Sequence, residues 1–268
     1  MKWIQNQLIK NKRVEDRVLR KKKGVIKSNL EPVLDNLEKR IPKKVEEKIN
    51  LLFEKAFYMV FEKGTSIIEK TYSKEKIQIE HIVSDFMMDG APSRSVIKRM
   101  DKPAKKSRRW GKRIALLEGL GLGFLGIGLP DIPIFTGVLL KGIYEIAWSY
   151  GFNYNLYEEQ IYILKLIRAA LATDTQRLIL SDELDRYGRT IDSQKWHGSL
   201  DSEIKTTAKS LSQELLVAKF IQGLPVVGVA GAIFNHSTYK KISDYALVKY
   251  KKRFYEKKQQ KKTSIEVL

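Results

Sequence analysis

The sequence predicts an all-α protein, a multi-helix bundle that contains two Gly/Pro-rich apolar helical hairpins. Three observations support this prediction. Apolar residues recur at intervals of three and four over long stretches, glycine and proline cluster between those stretches, and no long run alternates apolar with polar residues. The chain has 268 residues, which is enough for one large domain with a real core.

The clearest helical pattern begins after Pro42. Proline fits the first turn of a helix, so this position predicts a helix start. Residues 158–168 and 204–221 show the same helical period. The apolar residues of the first stripe are Val45, Ile49, Leu52, Phe53, Phe57, Val60 and Ile67.

Basic residues concentrate at both ends of the chain. The first 28 residues hold ten Lys/Arg against two acids, and residues 240–262 hold ten more against two. We therefore predict a basic N-terminal helical arm (1–40), an all-helical domain (41–258) and a flexible C-terminal tail (259–268), with fraying expected across 257–262. At either end the charge run can be a solvated face or a binding surface, and the sequence leaves both open.

A faint internal repeat relates two parts of the chain. Gly128-Leu129-Pro130 aligns with Gly223-Leu224-Pro225, and each copy is followed by a helical pattern. The alignment also matches Tyr144 with Tyr239. We expect two related helix-turn-helix elements that pack side by side.

The composition favours anionic partners. Fifty Lys/Arg against 31 Asp/Glu give a net charge of +19, which promotes association with polyanions such as nucleic acid or anionic lipid. The chain has no cysteine, which excludes disulfides and thiolate metal sites. The N-terminus lacks the apolar core of a secretory signal, and basic segments stay on the cytoplasmic side of membranes. We expect a cytoplasmic protein, peripheral on the inner face of the cell membrane.

A junction between a basic run and an apolar segment suggests how such binding could work. Residues 94–113 contain ten Lys/Arg, and residues 119–140 carry Asp131 as their only charge. Cations attract anionic headgroups, and tryptophan is enriched at headgroup depth. The predicted headgroup contacts are Lys105, Lys106, Arg108, Arg109, Lys112 and Arg113, with Trp110 at the interface.

The apolar segment is too broken to be an ordinary membrane span. A spanning helix needs about 20 apolar residues, whereas this segment offers twelve before Asp131 and nine after it. Three readings remain open: a hairpin buried in the protein, a hairpin that dips into one leaflet, and a span within an oligomer. The inserted or core surface would comprise Phe124, Leu125, Ile127, Leu129, Ile132, Ile134 and Phe135.

Three segments resemble the EcsC family. They are GLPDIPIFTGVLLKGIYEIAWSYGF (128–152), the stretch 41–77, and the glycine-rich turn with its basic helix at 223–258. The resemblance implies work at the cytoplasmic membrane, with a membrane protein complex such as an ABC-type exporter as partner. It carries over no catalytic residues, and it leaves the basic N-terminal arm unexplained. The motif residues are Gly128, Pro130, Asp131, Pro133, Tyr144, Glu145 and Asn235.

Candidate chemistry is sparse. The histidines, at 81, 197 and 236, lack metal-ligand spacing, and His81 lies at the start of a helical pattern. The glycines at 121–128 follow no strand, so we predict no nucleotide or other cofactor. Asp131 can cap the helix that begins at Ile132 or Pro133. Glu145 can join Asp131 and Glu118 around a cation, or pair with Lys141 four residues before it.

Three functional classes follow from these patterns. The favoured one is a non-catalytic, membrane-associated accessory protein that binds anionic lipid. The alternative is a basic helical protein associated with nucleic acid, and a lipid-acting hydrolase is more distant. No DNA- or RNA-binding motif accompanies the charge, and an apolar glycine-rich hairpin has no role on DNA.

Overall fold

Helices make up all the regular secondary structure in the described parts of this computed structural model, which are residues 2–19, 41–106, 131–192, 198–222 and 228–266. The predicted all-α class is confirmed. The turns of both predicted hairpins lie outside these residues. The elements are α1 (Lys2–Leu19), α2 (Lys43–Met59), a π-helical turn (Val60–Gly64), α3 (Thr65–Glu69), α4 (Lys74–Gly90), α5 (Arg94–Lys106), α6 (Asp131–Ser149), α7 (Tyr157–Leu171), α8 (Asp174–Asp192), α9 (Leu200–Gln222) and α10 (Gly228–Glu266).

Helix α6 lies at the centre of one half of the bundle. It contacts α2, α4, α5 and α10, and it is apolar around most of its circumference, as expected for a helix enclosed by others. Helix α7 has the same position in the other half, between α8, α9 and α10. The α6 residues in the core include Phe135, Leu139, Ile143 and Ala147.

The longest helix, α10, runs through both halves. Its 39 residues span about 58 Å at 1.5 Å per residue. It continues through residues 257–262, where we expected fraying, and Lys258 there is buried. The predicted flexible tail at 259–268 is thus helical as far as Glu266. Contacts with α4, described below, hold this end of the helix.

The π-helical turn corrects one predicted core position. The apolar stripe of α2 is buried as expected from Ile49 through Val60, with Val45 half-buried at its start, but Ile67 is only half-buried and Ile68 is buried in its place. A π-helical turn contains one more residue than an α-helical turn, so it moves the inward face by one position.

The N-terminal arm begins as a helix packed on the bundle. Helix α1 lies along α10, where Ile4 is buried and the ring of Trp3 meets the ring of Tyr255 edge-on at 6.4 Å. The Asn11 side-chain amide donates a hydrogen bond of 2.9 Å to the Val248 carbonyl oxygen. Residues 2–19 are therefore part of the packed structure.

The helices that follow the two repeat copies, α6 and α10, pack against each other, as predicted. At their contact Gly142 lies against the ring of Tyr239, which is fully buried. A Cβ at position 142 would lie 2.6 Å from the Tyr239 hydroxyl oxygen. Glycine is thus required here for close approach of the two helices.

We predict that Gly142→Ala lowers the melting temperature. Overpacking of a closed core costs about 1–3 kcal/mol, and the Tyr239 ring that would have to yield is fully buried. This cost opposes the gain of up to about 1 kcal/mol in helix propensity. Thermal denaturation followed by circular dichroism measures the change.

Gly90→Ala is the matched control, because a Cβ there meets nothing within 4 Å while the propensity gain is comparable. Its melting temperature should equal or exceed that of the wild type. Equal stability of the two alanine variants would contradict the close-approach argument.

Candidate functional site

The basic C-terminal run is largely internal. Lys249 of α10 is 0% exposed, and its ammonium group contacts the Glu15 carboxylate of α1. It also lies 2.7 Å from an Asp185 oxygen and 2.8 Å from the Ser181 hydroxyl of α8. Lys252 binds the other Asp185 oxygen at 2.5 Å. We call these five residues the Lys249 cluster.

One turn further along α10, Arg253 bridges two more helices. Its guanidinium donates to both Glu159 oxygens of α7 at 2.9 Å, and to Asp192 of α8 at 2.7 and 2.8 Å. The Tyr250 hydroxyl donates to Glu159 at 2.8 Å. Burial raises the pKa of Glu159, and the Arg253 guanidinium opposes that rise. The arrangement is a largely buried ion-pair network that joins α7 and α8 to α10.

Two further contacts attach α5 and α4 to α10. Lys251 binds Asp101 of α5 at 2.7 Å, and Asp101 also accepts a hydrogen bond from the Tyr150 hydroxyl. Lys258 lies 2.8 Å from Asp85 and 2.6 Å from Asp89, both on α4. The expectation that the C-terminal run is either solvated or a binding surface is therefore wrong for these lysines, because acids from the surrounding helices neutralise them.

The ion pairs lower the pKa values of two of these acids. Burial acts to raise the pKa of Asp185, but the Lys249 and Lys252 ammonium groups outweigh it and hold that pKa below its usual range. The pKa of Asp101 is lowered in the same way, against burial, chiefly by Lys251. Both side chains are therefore carboxylates at neutral pH.

The described basic side chains of α5 face solvent, unlike the buried bases of α10. Val96, Ile97 and Met100 are buried with Asp101, and the basic side chains occupy the opposite, exposed face of the helix. Of the five α5 bases whose side chains are described, four form no ion pair in the described structure, and the fifth, Lys105, pairs with Asp101 at 3.2 Å. We call Arg94, Lys98, Arg99, Lys102 and Lys105 the α5 basic face.

The predicted headgroup contacts lie at the end of this face and beyond it. Lys105 is exposed on the last turn of α5, and Lys106 is the last residue of that helix. The others, which are Arg108, Arg109, Trp110, Lys112 and Arg113, lie outside the described residues.

The predicted apolar surface divides at the start of α6. Ile132 and Phe135 are buried and Ile134 is half-buried against the core, so this part is core as far as the structure describes it. Phe124, Leu125, Ile127 and Leu129 lie outside the described residues. None of the described helices is both long and apolar enough to cross a bilayer.

An exposed apolar stripe on α4 went unpredicted. Its side chains repeat at the helical spacing of three and four, and Phe86 is 80% exposed. Arg99 of α5 lies beside it, 3.9 Å from the Met87 sulfur. The sequence did contain one signal of this stripe. Ile77 and Met88 add a second apolar face to the same helix, so its apolar residues cover more of the circumference than one buried face needs. We call Ile79, Ile82, Val83, Phe86 and Met87 the α4 apolar stripe.

Three of the motif residues, Pro133, Tyr144 and Glu145, are buried in the core. The ring of Tyr144 stacks on Tyr154 at 4.2 Å, and Pro133 is buried. Asp131 is the first described residue of α6, and Asn235 lies within α10. Gly128 and Pro130 lie outside the described residues.

The carboxylates do not assemble into a metal site in the described parts of the chain. Glu145 pairs with Lys141 at 2.8 Å, which confirms one of its two predicted partners. Glu118, the third member of the alternative trio, lies outside the described residues.

The contacts of His81 indicate a structural role. It lies in the middle of α4, not at its start as we expected, with Nδ1 3.2 Å from the Ser149 carbonyl oxygen. Burial lowers its pKa, so the ring is neutral at pH 7. Gly151, at φ +79°, packs against the ring where a Cβ would clash. His197 lies outside the described residues.

A family model and one curated relative point to the same family. A model of the EcsC protein family matches residues 5–254, which includes most of α1. The chain is 24% identical to Protein EcsC of Bacillus subtilis (strain 168) over 216 residues, 79% of this chain and 85% of that protein. It is 27% identical to Uncharacterized protein YdbA of the same strain over 160 residues, 58% of this chain and 57% of that protein. No solved structure matches.

We predict that Lys249→Met lowers the free energy of unfolding by about 3–5 kcal/mol, because it leaves buried carboxylates without their main counter-ion. Urea denaturation followed by circular dichroism gives the value. Lys240→Met is the control: Lys240 is 50% exposed and pairs with Asp244 within one helix, so its loss should cost less than about 1 kcal/mol. Equal losses for both variants would contradict the assignment of the Lys249 cluster as a buried network.

The lowered pKa of Asp185 predicts a pH dependence. A carboxyl group with a folded-state pKa below its unfolded value of about 3.9 stabilises the protein above that pH, and this stabilisation is lost as the pH falls through the folded pKa. The difference in unfolding free energy between the wild type and Asp185→Asn should therefore be full at neutral pH and shrink below about pH 4. A difference that stays constant down to acid unfolding would contradict the prediction.

Proposed function

The chain belongs to the EcsC protein family, and we propose that it is a non-catalytic accessory protein that binds the anionic inner face of the cell membrane through the α5 basic face. The observation that supports this proposal is the contrast between the two basic runs. Eight bases of α10 form ion pairs with acids of other helices in the described structure, whereas the described basic side chains of α5 face outward.

The energetic argument rests on exposure without ion pairs. Arg94, Lys98, Arg99 and Lys102 form no ion pair in the described structure, so an anionic headgroup does not have to displace an internal partner. Near an anionic leaflet each such side chain contributes on the order of 1 kcal/mol. Four or five together suffice for reversible binding that weakens as salt screens the charges.

The sequence extends this contact beyond α5. Arg108, Arg109, Lys112 and Arg113 continue the charge, and Trp110 is of the type that sits at headgroup depth. In this proposal these residues join the α5 basic face in one contact. The glycine-rich segment that follows is proposed to lie in the protein core or in the same leaflet.

A peripheral position on the inner leaflet also suits the partner that the family resemblance implies, an ABC-type exporter complex. The proposal is that lipid binding concentrates the chain on the membrane where such a complex sits. Its positive charge suits the cytoplasmic leaflet, whose surface potential is negative.

The test is co-sedimentation with vesicles of phosphatidylglycerol and phosphatidylcholine. We expect binding that falls as salt rises, little binding to vesicles of phosphatidylcholine alone, and at least about tenfold weaker binding after Arg94, Lys98, Arg99 and Lys102 are all changed to Gln.

A second quadruple variant controls for net charge. Lys43, Lys44, Lys48 and Lys55 on α2 are also exposed, so changing them to Gln removes the same charge from a different face. Its affinity should stay within about threefold of the wild type. Equal losses in both variants would contradict the α5 assignment. Weak vesicle binding beside tight, salt-sensitive binding to duplex DNA would instead favour the nucleic-acid alternative.

A further inference from the structure

The α4 apolar stripe needs a separate explanation. Single exposed apolar residues are common on protein surfaces, but a continuous stripe marks an interaction site. The stripe follows the spacing i, i+3, i+4, i+7 and i+8, and its exposure ranges from 40% for Val83 to 80% for Phe86. In the described structure the other exposed large apolar side chains are single or paired on separate elements: Ile9, Val14, Leu51, Leu156, Tyr157, Leu178 and Ile179.

The bundle fixes the direction in which the stripe faces. On the inner side of α4, Ile77, Ser84 and Met88 are buried, and His81 contacts the Ser149 carbonyl oxygen. Lys258 holds the same helix through Asp85 and Asp89. Rotation of α4 to hide the stripe would break all of these contacts, so the stripe is presented rigidly.

Cations border the stripe on both sides. Arg99 of the α5 basic face lies against Met87 on one side. On the other side Asp89 is shared between Lys258 and Lys261, the latter at 3.0 Å and 60% exposed. The Asp89 carboxylate is thus already neutralised by two lysines.

The apolar stripe and the cations beside it together identify what binds this surface. Two copies of the chain that met through their stripes would bring two α5 basic faces together, which like-charge repulsion opposes. A partner helix normally lies in a groove, whereas Phe86 projects as a ridge. A helix with an apolar face and flanking bases, lying parallel to the surface, is the geometry of interfacial membrane binding.

We infer that the α4 apolar stripe inserts into the boundary between headgroups and acyl chains of an anionic bilayer, beside the α5 basic face. The inference rests on the proposed function and adds to it the apolar half of the contact. The inserted side chains come from α4, so this insertion does not require the glycine-rich segment.

Site-specific labelling tests the inference without background, since the chain contains no cysteine. Phe86→Cys and Ile79→Cys are each labelled with an environment-sensitive fluorophore and mixed with phosphatidylglycerol-containing vesicles. Leu178→Cys is the matched control, because Leu178 is 61% exposed and lies on α8. We expect a blue shift and quenching by spin-labelled lipid at positions 79 and 86, and neither at position 178.

A double variant of the α4 apolar stripe gives a second measurement, which is vesicle binding in high salt. Ile82→Ser with Phe86→Ser should reduce the fraction that stays on vesicles in high salt by at least about tenfold, since apolar insertion is not screened. It should leave low-salt binding through the α5 basic face largely intact. These positions are exposed, so circular dichroism should show an unchanged fold.

The outcomes separate the two proposals. Binding to anionic vesicles with labels at 79 and 86 that stay in a polar environment overturns the insertion and leaves the proposed function standing. No binding overturns both. A spectral shift that grows with protein concentration without vesicles indicates self-association, and an equal shift at position 178 indicates unspecific adsorption; either result overturns the inference.

Discussion

The fold depends on the neutralisation of a basic helix inside the protein. Lys249 of α10 is fully buried, and removing such a charge from water costs several kcal/mol unless a counter-ion accompanies it. Glu15 and Asp185 supply that counter-ion from two different helices. Arg253 does the same with Glu159 and Asp192. Because each acid must reach a fixed position on α10, the ion pairs specify how the surrounding helices are placed around it.

The N-terminal helix, which supplies one of these acids, lies largely within the family match. The match begins at residue 5, within α1, although we expected the arm to be an addition to the family domain. Without Glu15 of α1, the Lys249 cluster would lose one of its two principal carboxylates. A segment that resembles a solvated basic arm in sequence is therefore tied to the interior by Glu15, in addition to the buried Ile4 and the hydrogen bond of Asn11. The many lysines and arginines of α1 make this role of Glu15 hard to recognise from the sequence.

Local patterns were predictable from the sequence, whereas long-range partners were not. The helical class, the α2 stripe as far as Val60 and the pair of Lys141 with Glu145 follow from spacings of three and four residues. Lys249 and Glu15 are 234 residues apart, and no local spacing connects them. The shift from Ile67 to Ile68 required a π-helical turn that leaves no simple sequence signal. On α4 both faces are apolar, so periodicity could not decide that Met88 faces inward and Phe86 outward.

The same ion pairs that close the interior also orient the proposed membrane surface. Asp101, the only acid of α5, turns inward to Lys251, which leaves the bases of that helix on the outside. Asp85 and Asp89 bind Lys258, which holds α4 with Phe86 projecting. Both helices are thus anchored to α10 and adjoin each other at Arg99 and Met87. A surface held in this way needs little ordering on binding, so more of the free energy gained from headgroup and acyl contacts remains as affinity. A loss of the α10 ion pairs would therefore weaken membrane binding indirectly, by releasing the two helices from their shared orientation, even though no α10 base that is paired internally has to touch lipid.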